Sequence, residues 1–149
     1  MAWIGIIIQV IGAYVATITA AITLEAPRKL IFKTGYAGAV GYFIYLMLSF
    51  LGSALATFFA CIVVSFMGQI FARLFKAPVT IFYIPAFFPF VPGSAIYLTA
   101  LYFIQGNYTL SNHYMVQTLS IAGAIALGVF FSDSILDVYN RIRYNILQK

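Results

Sequence analysis

Between Lys33 and Arg73 the chain carries no charged residue. A run of that length without Asp, Glu, Lys or Arg has no polar face to offer to water, so a fold in aqueous solution cannot use it. The rest of the chain agrees: 64% of its residues are hydrophobic and 7% are charged, against about a quarter charged in soluble domains. Its 149 residues suffice for four or five spans of roughly 20 residues each, with little left for a separate domain. The expectation is an all-α membrane protein, one transmembrane domain over residues 1–149. The net charge of +5 sits in short clusters between apolar runs, Arg28–Lys33, Arg73–Lys76 and Arg141–Lys149. It therefore speaks to orientation in a bilayer rather than to nucleic acid. All three clusters fall on one side only if there are five spans, which puts the N-terminus outside and the C-terminus in the cytoplasm.

Span one is expected over about Ala2–Leu24. Its start, MAWIGIII, has no basic region before the apolar run, so the segment reads as a retained anchor rather than a cleaved signal. Gly5, Gln9, Gly12, Ala16, Thr19 and Thr23 recur at steps of three and four, a stripe suited to close helix packing in lipid. Residues 25–33 read as a basic cytoplasmic loop. Spans two and three follow at about Thr34–Ser49 and Ser53–Ala72, joined by a tight uncharged turn at Gly52. Gly35, Gly38 and Gly41 beside Tyr42, and Gly52, Ala56, Ala60 and Gly68, again mark packing faces. Cys61, the only cysteine, reads as a buried structural thiol.

The fourth span, about Val79–Ile104, contains PVTIFYIPAFFPFVPGSAIY, with Pro78, Pro85, Pro89, Pro92 and Gly93 inside an apolar run. A proline within a helix has no N–H for the carbonyl four residues back. Pro85, Pro89 and Pro92 are thus expected to free the carbonyls of Ile81, Pro85 and Phe88. At about 100° per residue, positions 85, 89, 92 and 93 share one face of a straight helix and Ser94 lies nearly opposite. Bare carbonyls at bilayer depth are tolerated only where protein covers them or a watery cavity meets them, so the stretch reads as a helix broken for a transport pathway.

The polar stretch from Gln105 to His113 reads as an outward loop, and span five as about Tyr114–Ser132, with Ser120, Ala124 and Gly128 on a small-residue face. Residues 133–149 have the spacing of an amphipathic cytoplasmic helix, in which Asp137 and Arg141 are placed to pair. His113, the only histidine, reads as a loop residue. With one histidine, one cysteine and three acids, the chain lacks the usual parts for catalysis; no catalytic residue, metal site or cofactor is expected. If transport is proton-driven, the coupling acid is either Asp133 at the inner mouth or belongs to another subunit.

The central run resembles the threonine/serine exporter family, and within it the C-terminal membrane half that forms the small subunit of two-component exporters. The motif is carried by Lys76, Pro78, Ile84, Pro85, Pro89, Pro92, Gly93, Ser94 and Tyr97, and the spacing is similar from about Gly5 to Leu127. The resemblance implies an exporter subunit for threonine and serine in a bacterial plasma (inner) membrane. It also implies a complementary membrane subunit encoded separately, and leaves room for a higher oligomer. Substrate contacts would come from Pro85, Pro89, Pro92, Gly93, Ser94 and Tyr97. The N–H groups of Gly93, Ser94 and Ala95 would take the carboxylate, the freed carbonyls the ammonium, and Ser94 or Tyr97 the side-chain hydroxyl. Some two-component members are associated with dicarboxylate export, so a succinate-like substrate is the alternative, with Arg73 and Lys76 attracting the dianion. A non-transporting scaffold subunit is the third reading.

Overall fold

A computed structural model of the chain describes the backbone of residues 2–147 and the side chains of residues 3–136 and 138. The order is α1 (Ala2–Thr23), α2 (Arg28–Leu48), α3 (Ser53–Phe75), α4 (Thr80–Phe87), α5 (Gly93–Ile104) and α6 (Tyr108–Leu147). Short 3₁₀ turns at Ser49–Leu51 and Phe88–Phe90 complete it. Four helices are long and apolar enough to cross a bilayer, and α4 with α5 form a fifth crossing candidate bent by 50°.

Helices start sooner and loops are shorter than the sequence suggests. The basic residues Arg28, Lys29 and Lys33 lie in the first turns of α2 and not in a loop. The α1/α2 link is only Leu24–Pro27. It is closed by Glu25 at φ 55° and by Ala26 N–H donating to the Ala21 carbonyl at 2.9 Å, after which Pro27 stands at the start of α2. Likewise α6 begins at Tyr108, so the outward loop shrinks to Gln105–Asn107. The Asn107 side chain accepts from Leu110 N–H at 3.2 Å and so caps the start of α6. His113 is therefore an exposed helix residue. Between α2 and α3, Gly52 adopts φ 94°, where a side chain is strained.

The bundle closes through glycines. Gly38 is covered by the Thr17 side chain, Gly41 by Val64 and Phe90, and Gly68 by Tyr83. Gly128 meets the Phe58 backbone, its Cβ position lying 2.8 Å from that carbonyl oxygen and 2.9 Å from Cys61 Cβ. The core is accordingly small: Ala37, Ala60, Cys61, Val64 and Ala86 around Phe90. In lipid, where apolar burial does not drive association, small residues let backbones approach closely. The stripe expected on α1 is the exception. Ala13, Thr17, Ala20 and Ala21 are the residues buried there, whereas Gln9, Gly12, Ala16, Thr19 and Thr23 face outward. Small residues cover much of α1, so periodicity alone does not choose its inner face; the fit of Thr17 onto Gly38 does.

Two relations settle the path of the chain. Lys33 Nζ lies 3.4 Å above the Phe75 ring, which sets the first two basic clusters at one end of the bundle. And α3 runs parallel to α6: Ser53 and Thr57 share a cavity with Gln117 and Ile121, Cys61 meets Gly128, and Gln69 bonds Asp133. Parallel neighbours require the intervening α4 and α5 to carry the chain back across. The proline segment is thus a broken crossing and not a re-entrant hairpin.

The α6 helix continues without a break through residue 133 to Leu147. Ile135, the first residue of the apolar spacing expected beyond Asp133, is exposed; Tyr139, Ile142, Ile146 and the pairing of Asp137 with Arg141 fall on side chains outside the described residues.

Candidate functional site

α4 packs among α1, α2 and α3, whereas α5 leaves them and packs against α6. The break follows from the prolines, but the chain repairs most of what they open. Pro85 removes the donor for the Ile81 carbonyl. The Pro85 carbonyl accepts from Phe88 N–H, and the Phe88 carbonyl from Val91 N–H at 3.2 Å. Of the three carbonyls expected to be free, two are therefore taken up by the tighter i→i+3 bonding of a 3₁₀ turn. Val91 is then extended (ψ 126°) and Pro92 stands at the start of α5.

Beside this break lies a cavity of about 210 Å³ lined by residues of five segments. Pro89, Phe90, Val91 and Pro92 form one wall, Ser94 and Ala95 the start of α5, Tyr42 and Tyr45 come from α2, Ser53 and Thr57 from α3, and Gln117 and Ile121 from α6. Tyr42, Tyr45 and Phe90 form an aromatic group with centroids 5.4–6.1 Å apart. At the α5 start, Gly93 N–H donates to the Val91 carbonyl at 2.7 Å and Ile96 N–H to the Pro92 carbonyl at 3.0 Å. The Ser94 and Ala95 N–H groups are the open donors of this helix end, which has no acid in its first turn and no side-chain cap. An uncapped helix N-terminus concentrates positive potential. The cavity thus combines oriented amide donors with hydroxyl and amide side chains inside an apolar bundle.

The residues expected at the site divide. Pro89, Pro92 and Ser94 line the cavity. Gly93 sits at the hinge, exposed, with open space where a Cβ would go. Tyr97 is 64% exposed on the outer surface of α5 and does not line it. Pro85 is buried at the basic end, in a separate hollow of about 240 Å³ with Ile81, Ile84 and the α1/α2 link. The bend is the reason. A straight-helix projection puts Pro85 with Pro92 and Ser94 opposite, but 50° of bend and a 3₁₀ turn rotate Ser94 inward. Asp133 is placed elsewhere again: its Oδ1 accepts from Gln69 Nε2 at 3.0 Å, and Gln69 lies about 18 Å along α3 from Thr57 at 1.5 Å per residue.

Tyr45, Ser53, Thr57 and Gln117 were not singled out from the sequence. Their only signal was polarity within apolar spans. Among the described residues, no three His, Cys, Asp or Glu side chains come together.

No curated protein and no solved structure matches the chain. The profile of the family described as threonine/serine exporter, ThrE, matches residues 9–135. That match takes in most of α1, all of α2 to α5 with the broken crossing and its cavity, and most of the apolar part of α6. The chain is a multi-pass membrane protein of transporter type, and it belongs to the threonine/serine exporter family.

Proposed function

We propose that this chain is a subunit of an exporter of small hydrophilic amino acids, threonine and serine first, and that the solute passes through the cavity at the α4/α5 break. The observation that carries this reading is the α5 N-terminus opening onto side chains that suit the rest of an amino acid. The Ser94 and Ala95 N–H groups hold the carboxylate, the aromatic faces and hydroxyls of Tyr42 and Tyr45 receive the ammonium, and Ser94, Thr57 and Gln117 sense the side-chain hydroxyl. A volume of about 210 Å³ falls below the ~300–1,000 Å³ of drug-sized pockets, which suits so small a solute. No lysine or arginine lines the cavity, so a second carboxylate has no counter-charge there, which favours an amino acid over a dicarboxylate. Asp133, partly buried and held by Gln69, is the coupling group of this reading. The experiment is export from preloaded whole cells, or uptake into inside-out vesicles, comparing threonine with succinate. Thr57→Val and Gln117→Leu each remove one polar contact of about 1 kcal/mol, so each should lower threonine export roughly fivefold. Succinate export in place of threonine, or indifference to both substitutions, would sink the reading.

The same proposal includes a complementary membrane subunit in a bacterial plasma membrane, with the basic end of the bundle in the cytoplasm and the N-terminus outside. The outward stripe of α1 supports it: Gln9, Gly12 and Ala16 are exposed, and nothing lies within 4 Å of the positions where Cβ atoms at Gly5 and Gly12 would stand. Gly12→Leu should leave the chain folded but abolish co-purification of the partner. Retained co-purification would place the interface elsewhere. A scaffold that does not transport would share the sensitivity of this stripe but tolerate Thr57→Val and Gln117→Leu.

A further inference from the structure

We propose that the seam between α3 and α6 binds a sodium ion, liganded by Ser65, Ser132 and Asp133. Ser65 and Ser132 are fully buried, and both hydroxyls lack a hydrogen-bond partner. They differ in this from the other buried hydroxyls. Thr17, Thr34 and Thr57 each donate to the carbonyl four residues back, and Ser111 donates to the Thr99 carbonyl. A buried polar group without a partner is costly and calls for a reason.

Their placement supplies one. Cys61 meets Gly128, where a Cβ would stand 2.9 Å from Cys61 Cβ. Ser65 and Ser132 each lie four residues further along these parallel helices, one turn on, and so at the same level of the seam. Asp133 adjoins Ser132, and Gln69 stands one further turn along α3. The Gln69–Asp133 hydrogen bond uses Oδ1, so Asp133 Oδ2 and Gln69 Oε1 are further oxygen acceptors within about one helical turn of the two serines. Among the described residues, Tyr83 of α4 lies within electrostatic reach of Asp133. No basic side chain forms an ion pair with Asp133 among the described residues.

The donor set selects the class of ion. All the ligands are oxygens, which excludes the softer metals that prefer sulfur and imidazole. One carboxylate balances one positive charge, whereas calcium sites gather several carboxylates. The close approach of the two helices at Gly128 disfavours the larger potassium ion. This inference deepens the reading of Asp133 as the coupling group, but its test is independent of any transported substrate.

The test is binding of ²²Na⁺ and thermal melting of the full-length protein in lipid nanodiscs, with any co-purifying subunit retained, in NaCl against choline chloride. Saturable sodium binding and a higher melting temperature in NaCl are expected. Ser65→Ala and Ser132→Ala should each weaken sodium binding at least tenfold, and Asp133→Asn should abolish it. Ser120→Ala, on the exposed face, should leave it unchanged. In choline the two alanine variants should melt no lower than the parent, since each loses only an unpaired hydroxyl. No saturable sodium binding by the parent, or parental affinity in both alanine variants, overturns the proposal. Sodium binding without threonine export would leave the site standing and remove the transport reading instead.

Discussion

Ala95→Leu is expected to abolish threonine export while the protein remains in the membrane at its normal level. Ala95 is 5% exposed and lines the cavity at the start of α5, so a larger side chain there projects into space the solute needs. A cavity of about 210 Å³ has no room for both an isopropyl group and an amino acid. The added group also stands beside the Ala95 N–H and screens the donors assigned to the carboxylate. Because the new atoms enter a cavity, the packing cost stays toward the low end of the ~1–3 kcal/mol typical of overfilled cores. Export of labelled threonine should fall at least tenfold, a change equivalent to about 1.4 kcal/mol, with the membrane level checked by immunoblot. Tyr97→Leu, two residues on and directed outward, is the matched control and should export normally. Equal export by both variants would remove the cavity from the pathway.

Gly128→Leu should separate α3 from α6 and lower the stability of the whole bundle by about 3 kcal/mol or more. The added Cβ would stand 2.8 Å from the Phe58 carbonyl oxygen and 2.9 Å from Cys61 Cβ. The first of these is backbone and cannot turn aside as a side chain would. Gly123→Leu on the same helix supplies the comparison, since nothing lies within 4 Å of its Cβ position. Melting followed by size-exclusion chromatography should show a large loss for the first variant and almost none for the second. Similar melting of the two would mean that α6 is held by something other than this contact.

Much of the fold was legible in the chain itself. The long charge-free runs dictate membrane helices, the basic clusters mark their ends, and the tight turn at Gly52 was readable from the glycine between two spans. Packing positions on α2, α3 and α6 were also readable, because Gly38, Gly41, Gly68 and Gly128 have few uses in lipid other than close approach, although Ser120, expected on the same face as Gly128, is exposed. Helix ends were less so. Arg28 and Lys33 look like loop residues by charge, yet a helix tolerates them at the mouth of a membrane, where their heads reach water.

The site was legible only where it is local. That Pro85, Pro89 and Pro92 break the fourth crossing follows from the missing N–H groups, which the chain answers only by tightening into a 3₁₀ turn. Which side of the break faces inward is not local. It depends on the 50° bend and on α5 leaving α4's neighbours for α6. These bring Ser94 to Tyr42, Thr57 and Gln117, residues up to 75 positions apart in sequence, and turn Tyr97 away. The outward stripe of α1 has the same origin, for its inner face was chosen by Gly35 and Gly38 on α2. Backbone chemistry determines where such a chain must bend; only the packing of its helices decides what the bend is turned to face.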